Sequence, residues 1–266
     1  MPAVNQESAV SENPSPVIGI ICAIPDEIAQ FGSAFKQEKV TSHGGFAFAE
    51  GELEGKHCIL VEAGMGKVNA AVVATILAQE FACKSLLFSG VAGGLDPALG
   101  VGDVIVGKHL IQHDYGIINN GVTESYHPGH LPIFAPSERF GYYLDEGLAS
   151  RIGTALEGFE LPMLSAEAGG GEARTPKLQF GTILTGDQFV NCTATRNRLH
   201  NELGGQAVEM EGAAVAQVAE RFGIDWIVVR SLSDLAGEES GMDFIKFLHE
   251  TAAGAAIVLR RLIRVL

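Results

Sequence analysis

Val208-Glu209-Met210-Glu211-Gly212-Ala213, followed about twenty residues later by Val228-Val229-Arg230-Ser231-Leu232-Ser233-Asp234, is the pair of segments that decides how this chain folds. The first places acids where a strand passes into a helix. The second ends an apolar run, the mark of a buried strand, with Arg, Ser and Asp at its C-terminal edge. Ligands of open α/β sheets bind at that edge. Acids there are costly unless they are paired or used.

Working outward, Val17 to Ala23 is a continuous apolar run that suits a strand buried on both faces. Pro25-Asp26-Glu27 then signals a helix start. Phe46 to Glu52 and His57 to Val61 read as a hairpin around Glu54-Gly55. Gly64-Met65-Gly66-Lys67 opens a helix running to about Ala82, and Ser85 to Ser89 is a strand ending in a glycine turn, Gly90 to Gly94. Strands follow at 103–106, 179–184 and 226–229, with helices at 144–156, 193–203 and 212–222. The last helix sets Phe244, Leu248, Ala252, Ala255, Leu259 and Leu262 at helical spacing, one apolar stripe for the core. This alternation, without an internal repeat, predicts a single α/β domain over 17–266, with a mixed, largely parallel twisted sheet flanked by helices. Residues 1–16 read as a disordered leader, and 166–176, with Gly169-Gly170-Gly171, as a flexible insertion. The irregular stretch from His113 to Pro136 is long enough to imply a functional or partner contact.

Composition narrows the function. The chain has 266 residues, 47% of them hydrophobic, and a formal net charge of −14. A polyanion-binding surface needs clustered Lys and Arg, so nucleic acid is not expected as a partner. No apolar run approaches the ~18 residues of a membrane span. The N-terminus has no basic start or apolar stretch and is not a secretory signal, which makes cytoplasm the expected location. Four scattered cysteines show neither zinc spacing nor a disulfide framework. His109, His113, His127 and His130 lack ligand spacing, so no metal is assigned and surface or interface roles are expected.

Several residues have both a structural and a chemical reading. Glu27 suits a helix dipole as well as a site. Gly64-Met65-Gly66-Lys67 fails as a Walker loop, which would need Gly at Val61 and Ser or Thr at Val68. It fits a tight turn that brings backbone close to a small ligand. Phe189, in Gly186-Asp187-Gln188-Phe189-Val190, serves as core or as a stacking face for a planar ring. Asp234 is either the ion-pair partner of Arg230 or a general acid whose pKa burial has raised.

Taken together these segments resemble the nucleoside phosphorylase/nucleosidase family, in its 5′-methylthioadenosine/S-adenosylhomocysteine nucleosidase branch. The resemblance runs from about Val17 to the C-terminus. It rests on Ile18-Gly19-Ile20-Ile21 with Ala23 and Glu27, on Gly64 to Val68, on Ser89 to Leu95 and on Gly102-Asp103-Val104. It continues through Gly186 to Val190, Val208 to Glu211 and Arg230 to Asp234. Each piece alone is weak; their order and spacing together are specific. The resemblance implies a nucleoside phosphorylase-like fold and hydrolysis of the N-glycosidic bond of an adenine nucleoside without a cofactor, as in methionine salvage. Asp234 would protonate adenine N7, with Ser233 orienting it. Glu27 would activate the attacking water, with Arg230 near that water. Glu211 would bind the ribose hydroxyls and Met210 would pack on the sugar. Phe189 would stack on adenine, whose edge the Val190 backbone would read. Ile24, Met65 and Phe244 would form an apolar 5′ pocket. A neighbouring subunit would complete it through segment 113–134, which implies a homodimer.

One departure concerns Val91, where many family members carry Ser; a backbone or other group must do that work. The competing enzyme is a purine nucleoside phosphorylase. Phosphorolysis draws on arginines, and the chain has none from Met1 to Glu138. A nucleosidase for 6-amino-6-deoxyfutalosine shares the adenine and ribose and differs at the 5′ end. A catalytically idle ligand binder has no need of Glu27, Glu211 and Asp234 together.

Overall fold

The computed structural model describes residues 16–266, so the expected leader lies outside the described residues except for Pro16. The chain opens with β1 (Ile18–Cys22), α1 (Pro25–Ile28) and a 3-10 segment (Ala29–Ala34). Next come β2 (Lys36–His43), β3 (Phe46–Leu53), β4 (Lys56–Glu62), α2 (Lys67–Gln79), β5 (Ser85–Gly94) and β6 (Val104–Gln112). The hairpin β7 (Gly116–Asn119) and β8 (Val122–Ser125) precedes β9 (Tyr142–Tyr143), α3 (Glu146–Leu156) and β10 (Leu178–Thr185). The chain closes with α4 (Thr193–Leu203), β11 (Ala207–Glu209), α5 (Gly212–Phe222), β12 (Asp225–Asp234) and α6 (Ser240–Ile263).

The main sheet runs β11-β10-β6-β12-β5-β1-β4-β3-β2. Its centre is parallel: β1 lies between β4 and β5, and β12 runs alongside β5. Antiparallel pairing enters at β12–β6 and along β2–β3–β4. The far end of β5 also pairs with β11, Gly93 opposite Val208 and Gly94 opposite Ala207. That contact closes β5, β12, β6, β10 and β11 into a ring. β1 and the central runs Cys58–Val61, Leu86–Phe88 and Trp226–Val229 of β4, β5 and β12 are apolar and buried, as suits strands of a parallel sheet covered on both faces.

Several strands outrun their apolar signal. β5 continues through Gly90 to Gly94, so the expected glycine turn is the strand's second half. β12 continues to Asp234 beside it, with Arg230 opposite Gly90 and Ser231 opposite Val91. Glycine on one strand leaves room for polar side chains on the other. β6 likewise extends to Gln112. β2 has no apolar alternation, as suits an exposed, charged edge strand. The stretch 113–136 contains the β7–β8 hairpin rather than being wholly irregular. In α6, Phe247 takes the buried place expected for Phe244, which lies on the ligand-facing side. Segment 166–176 is fastened at one end: Arg174 Nη1 lies 2.6 Å from buried Asp103 Oδ1, and Arg174 Nη2 donates to the Val101 carbonyl at 2.7 Å.

Candidate active site

One cleft gathers ten of the eleven predicted site residues at the C-terminal ends of β1, β5, β11 and β12. It encloses about 690 Å³ including its open mouth, within the range of small-molecule sites. Glu27, Glu211 and Asp234 all reach its wall. Arg230 is the exception; it lies behind the wall and is fully buried.

Glu27 is 3% exposed although it sits in the first turn of α1. Its Oε2 accepts from the Ala23 N–H at 2.7 Å and the Ile24 N–H at 3.3 Å. Its Oε1 accepts from the Val91 N–H at 2.9 Å. Val91 therefore contributes its backbone, and its side chain needs no donor to hold this acid. Burial raises the Glu27 pKa, against the opposing pull of Arg230 and the three N–H groups.

Asp234 ends β12 and is 2% exposed. Its Oδ1 accepts from the Ala236 N–H at 2.9 Å. Ser233 Oγ lies 3.0 Å from Asp234 Oδ2 and 3.3 Å from the Ala92 carbonyl, and its single proton serves one of them at a time. Burial raises the Asp234 pKa, opposed by these hydrogen bonds. The alternative that Asp234 pairs with Arg230 is not what the side chains do. Arg230 turns away to Glu209, its closest carboxylate, and to Glu211 Oε2 at 3.2 Å.

Glu209 had no assigned role in the sequence, and it is the busiest acid in the region. Its Oε2 accepts from Arg230 Nη2, from the Glu211 N–H at 3.1 Å and from the Gly212 N–H at 2.7 Å. Its Oε1 accepts from the Thr185 hydroxyl. The sequence signal was available: two buried acids two residues apart require a cation, and Arg230 is the one on the neighbouring motif. Arg230 also stacks on Phe88, 4.1 Å from Cζ to the ring centroid. Glu211 keeps the cleft-facing position, accepting from the Gly66 N–H at 2.8 Å. Burial, reinforced by Glu209 and Glu27 and opposed by Arg230, pushes its pKa up to about 7. Gly66, at φ +101°, takes a conformation that suits glycine, which is why the turn before α2 is glycine-rich.

A second network was not foreseen. Lys67 Nζ lies 2.5 Å from Asp114 Oδ1, and the Lys67 N–H donates to Asp187 Oδ1 at 2.8 Å. The Asp187 N–H donates to Asp114 Oδ2 at 2.9 Å. These bonds tie the Gly64–Lys67 turn to the loop that carries Phe189. Phe189 meets Phe244 edge to face, centroids 6.0 Å apart, and is half exposed; Ile24 and Met65 line the same cleft. Val190 and Met210 complete the wall. His113, expected at the surface or an interface, is buried against Gly186 within the chain. No cluster of His, Cys, Asp or Glu among the described residues could hold a metal ion, and no described helix is long and apolar enough to cross a membrane.

A profile of the phosphorylase superfamily matches residues 17–264. The 5′-methylthioadenosine/S-adenosylhomocysteine nucleosidases of Mycobacterium bovis and Mycobacterium tuberculosis are each 49% identical to this chain over 249 residues, covering 94% of it and 97% of their own length. The crystal structure of the Neisseria meningitidis nucleosidase in complex with methylthio-immucillin-A superposes with a TM-score of 0.79 at 30% identity, covering 94% of this chain and 99% of that one. Futalosine hydrolase of Helicobacter pylori superposes with a TM-score of 0.78, also at 30% identity, over 95% of this chain and 99% of its own.

Proposed function

The chain belongs to the phosphorylase superfamily, in the family of the 5′-methylthioadenosine/S-adenosylhomocysteine nucleosidases, and we propose that it hydrolyses the N-glycosidic bond of those two nucleosides. The products are adenine and the 5-thioribose compound. One observation carries the choice of water over phosphate. The cleft is lined by four acidic residues, Glu27, Glu209, Glu211 and Asp234, and, among the described residues, by no Lys or Arg. A phosphate dianion would meet negative charge there, whereas an oxocarbenium-like transition state is stabilised by it.

The roles follow from the contacts. Asp234, its pKa raised by burial, holds a proton closer to neutral pH than a free carboxyl and donates it toward adenine N7, with Ser233 fixing its orientation. Adenine then departs as a neutral base. Glu27 accepts the proton of the attacking water. Its two oxygens are already anchored by backbone N–H groups, so it needs no reorganisation during the reaction. Glu211 accepts hydrogen bonds from the ribose hydroxyls while Met210 packs on the sugar. Phe189 stacks on adenine and the Val190 backbone reads its edge. Arg230 acts from behind the wall through the carboxylates rather than on the water directly. Ile24, Met65 and Phe244 surround the 5′ substituent.

The working form is a cytoplasmic homodimer acting in methionine salvage, with segment 113–134 in the interface. The exposure of Ile118, Ile133 and Phe134 supports a covered surface there. Light scattering of the purified protein tests the dimer, and liberation of adenine from 5′-methylthioadenosine tests the activity. The likeness to futalosine hydrolase keeps 6-amino-6-deoxyfutalosine as a second substrate for the same cleft. Competition between the two nucleosides ranks them.

A further inference from the structure

Glu209 touches four hydrogen-bond donors, including Arg230, and has no part in the chemistry proposed above. Two of those donors are backbone N–H groups at the start of α5, an eleven-residue helix whose N-terminus favours a negative charge. Thr185, which donates to Glu209, accepts in turn from the Ala213 N–H at 2.9 Å. The acid is thus fixed by strand, helix and side chain at once. Arg230 is fixed in contrast by few partners. Phe88 lies under its guanidinium and Nη2 donates to Glu209 and, at 3.2 Å, to Glu211, while Nε and Nη1 have no hydrogen-bond partner among the described residues. A Cβ at Gly90 would overlap both Arg230 Nη1 and Glu27 Oε1, so this unpartnered donor lies beside the Glu27 carboxylate. A buried guanidinium with two free nitrogens between three carboxylates moves to whichever binds it most strongly.

We propose that Glu209 is a positioning residue that holds the Arg230 guanidinium behind the cleft wall, keeping its contact with Glu211 at 3.2 Å and so leaving Glu211 acceptor capacity for the ribose hydroxyls. The inference rests on the nucleosidase reading for the identity of the ribose. The geometry supports it in a specific way. Arg230 Nη2 is nearer to Glu209 than to Glu211, which it approaches only at 3.2 Å. Remove the charge on Glu209 and the strongest remaining partners of Arg230 are Glu211 and Glu27. Arg230 then occupies the acceptor positions of Glu211 that the substrate needs. Loss of Glu209's charge also removes a neighbouring anion that disfavours ionisation of Glu211, so both effects act in the same direction. The charged and titratable groups facing this pair are Glu27 from α1, Arg230 from β12, Cys22 from β1 and His113 after β6.

The test uses the full chain and the substitution Glu209→Gln, which keeps the shape and the acceptor for the α5 N–H groups. Carboxyl carbon NMR follows the titration of Glu211, assigned by the signal that Glu211→Gln removes. In Glu209→Gln its midpoint falls by about one pH unit, the size expected when a nearby opposite charge strengthens and a like charge is lost. Turnover of 5′-methylthioadenosine shows KM raised about tenfold with kcat changed much less, the pattern of lost substrate binding. Glu209→Asp keeps the charge but withdraws it by one methylene, and gives a smaller fall of the same sign. It carries the test alone if Glu209→Gln does not fold. An unchanged Glu211 midpoint, or equal losses in kcat and kcat/KM with KM unchanged, overturns the proposal and leaves Glu209 as a structural cap of α5. A wild-type protein that releases no adenine fails the nucleosidase reading instead, and the Glu211 titration still decides the positioning claim.

Discussion

Gly90 of β5 stands opposite Arg230 of β12 in the sheet register, and the missing side chain of the glycine leaves the space that Arg230 Nη1 and Glu27 Oε1 occupy. A central strand of an apolar sheet accommodates a buried arginine only because its neighbour has no Cβ. Gly90→Ala forces one of the two charged groups aside. Overpacking of this kind costs about 1–3 kcal/mol, to be read by denaturant unfolding. Displacing Glu27 or Arg230 lowers adenine release by at least about tenfold, more than 1.4 kcal/mol of transition-state stabilisation.

Asp234 has a folded-state pKa above its ordinary value, which fixes the sign of a second prediction. Between the unfolded and folded pKa values the native state binds more protons than the unfolded one, so stability from this group falls as pH rises through that window. Asp234→Asn mimics the protonated acid. Its carbonyl keeps the Ala236 N–H, and its amide donates to Ser233 Oγ, freeing that hydroxyl for the Ala92 carbonyl. The variant unfolds at a higher temperature than wild type at neutral pH. The advantage shrinks as pH falls through the raised pKa of Asp234 and is gone by about 4, the ordinary Asp value. The same variant loses about 10²-fold or more in kcat, the usual contribution of a general acid.

Asp187 is supplied by a distant loop yet accepts from the Lys67 N–H at the start of α2, where Gly66 offers no capping side chain. Asp187→Ala removes that cap, worth about 1 kcal/mol, and unties the Phe189 loop from the Gly64–Lys67 turn. KM for 5′-methylthioadenosine rises several-fold with a smaller change in kcat. Steady-state kinetics on the variant give both numbers.

Arg174 is remote from the cleft and pairs with Asp103, which is 1% exposed. Arg174→Ala leaves Asp103 with the Gly100 and Lys177 N–H groups but no countercharge. Stability drops by about 1–3 kcal/mol, as for a buried group that loses a partner, while kcat/KM is unchanged. Urea unfolding and turnover measured on one preparation separate the two.

Much of this was legible in the chain. The limits of α4 and α5 follow from glycine at their ends, Gly204 and Gly223, both at positive φ. The Glu54-Gly55 hairpin shows as a turn pair between two alternating strands. Glu27, Glu211 and Asp234 stand out because acids at strand ends in an apolar sheet demand a reason. The ends of β5 and β12 were not legible. Polar residues normally close a strand signal, and here Arg230 stays in the sheet opposite Gly90, with Ser231 opposite Val91 and Ser233 at the register shift that follows Leu232. Glu209 was hidden by its neighbour Glu211: sequence shows two acids, but only the fold shows that one faces Arg230 and the helix while the other faces the cleft. The Lys67, Asp114 and Asp187 network joins three distant segments, and no local pattern predicts it.

The central claim is that water, not phosphate, attacks the ribose. The direct measurement is chromatography of the products formed from 5′-methylthioadenosine by the purified protein, in buffer with and without inorganic phosphate. The structure predicts free adenine and free 5-methylthioribose in equal amounts, at a rate that phosphate does not raise. A 5-methylthioribose 1-phosphate product whose formation depends on phosphate would contradict it.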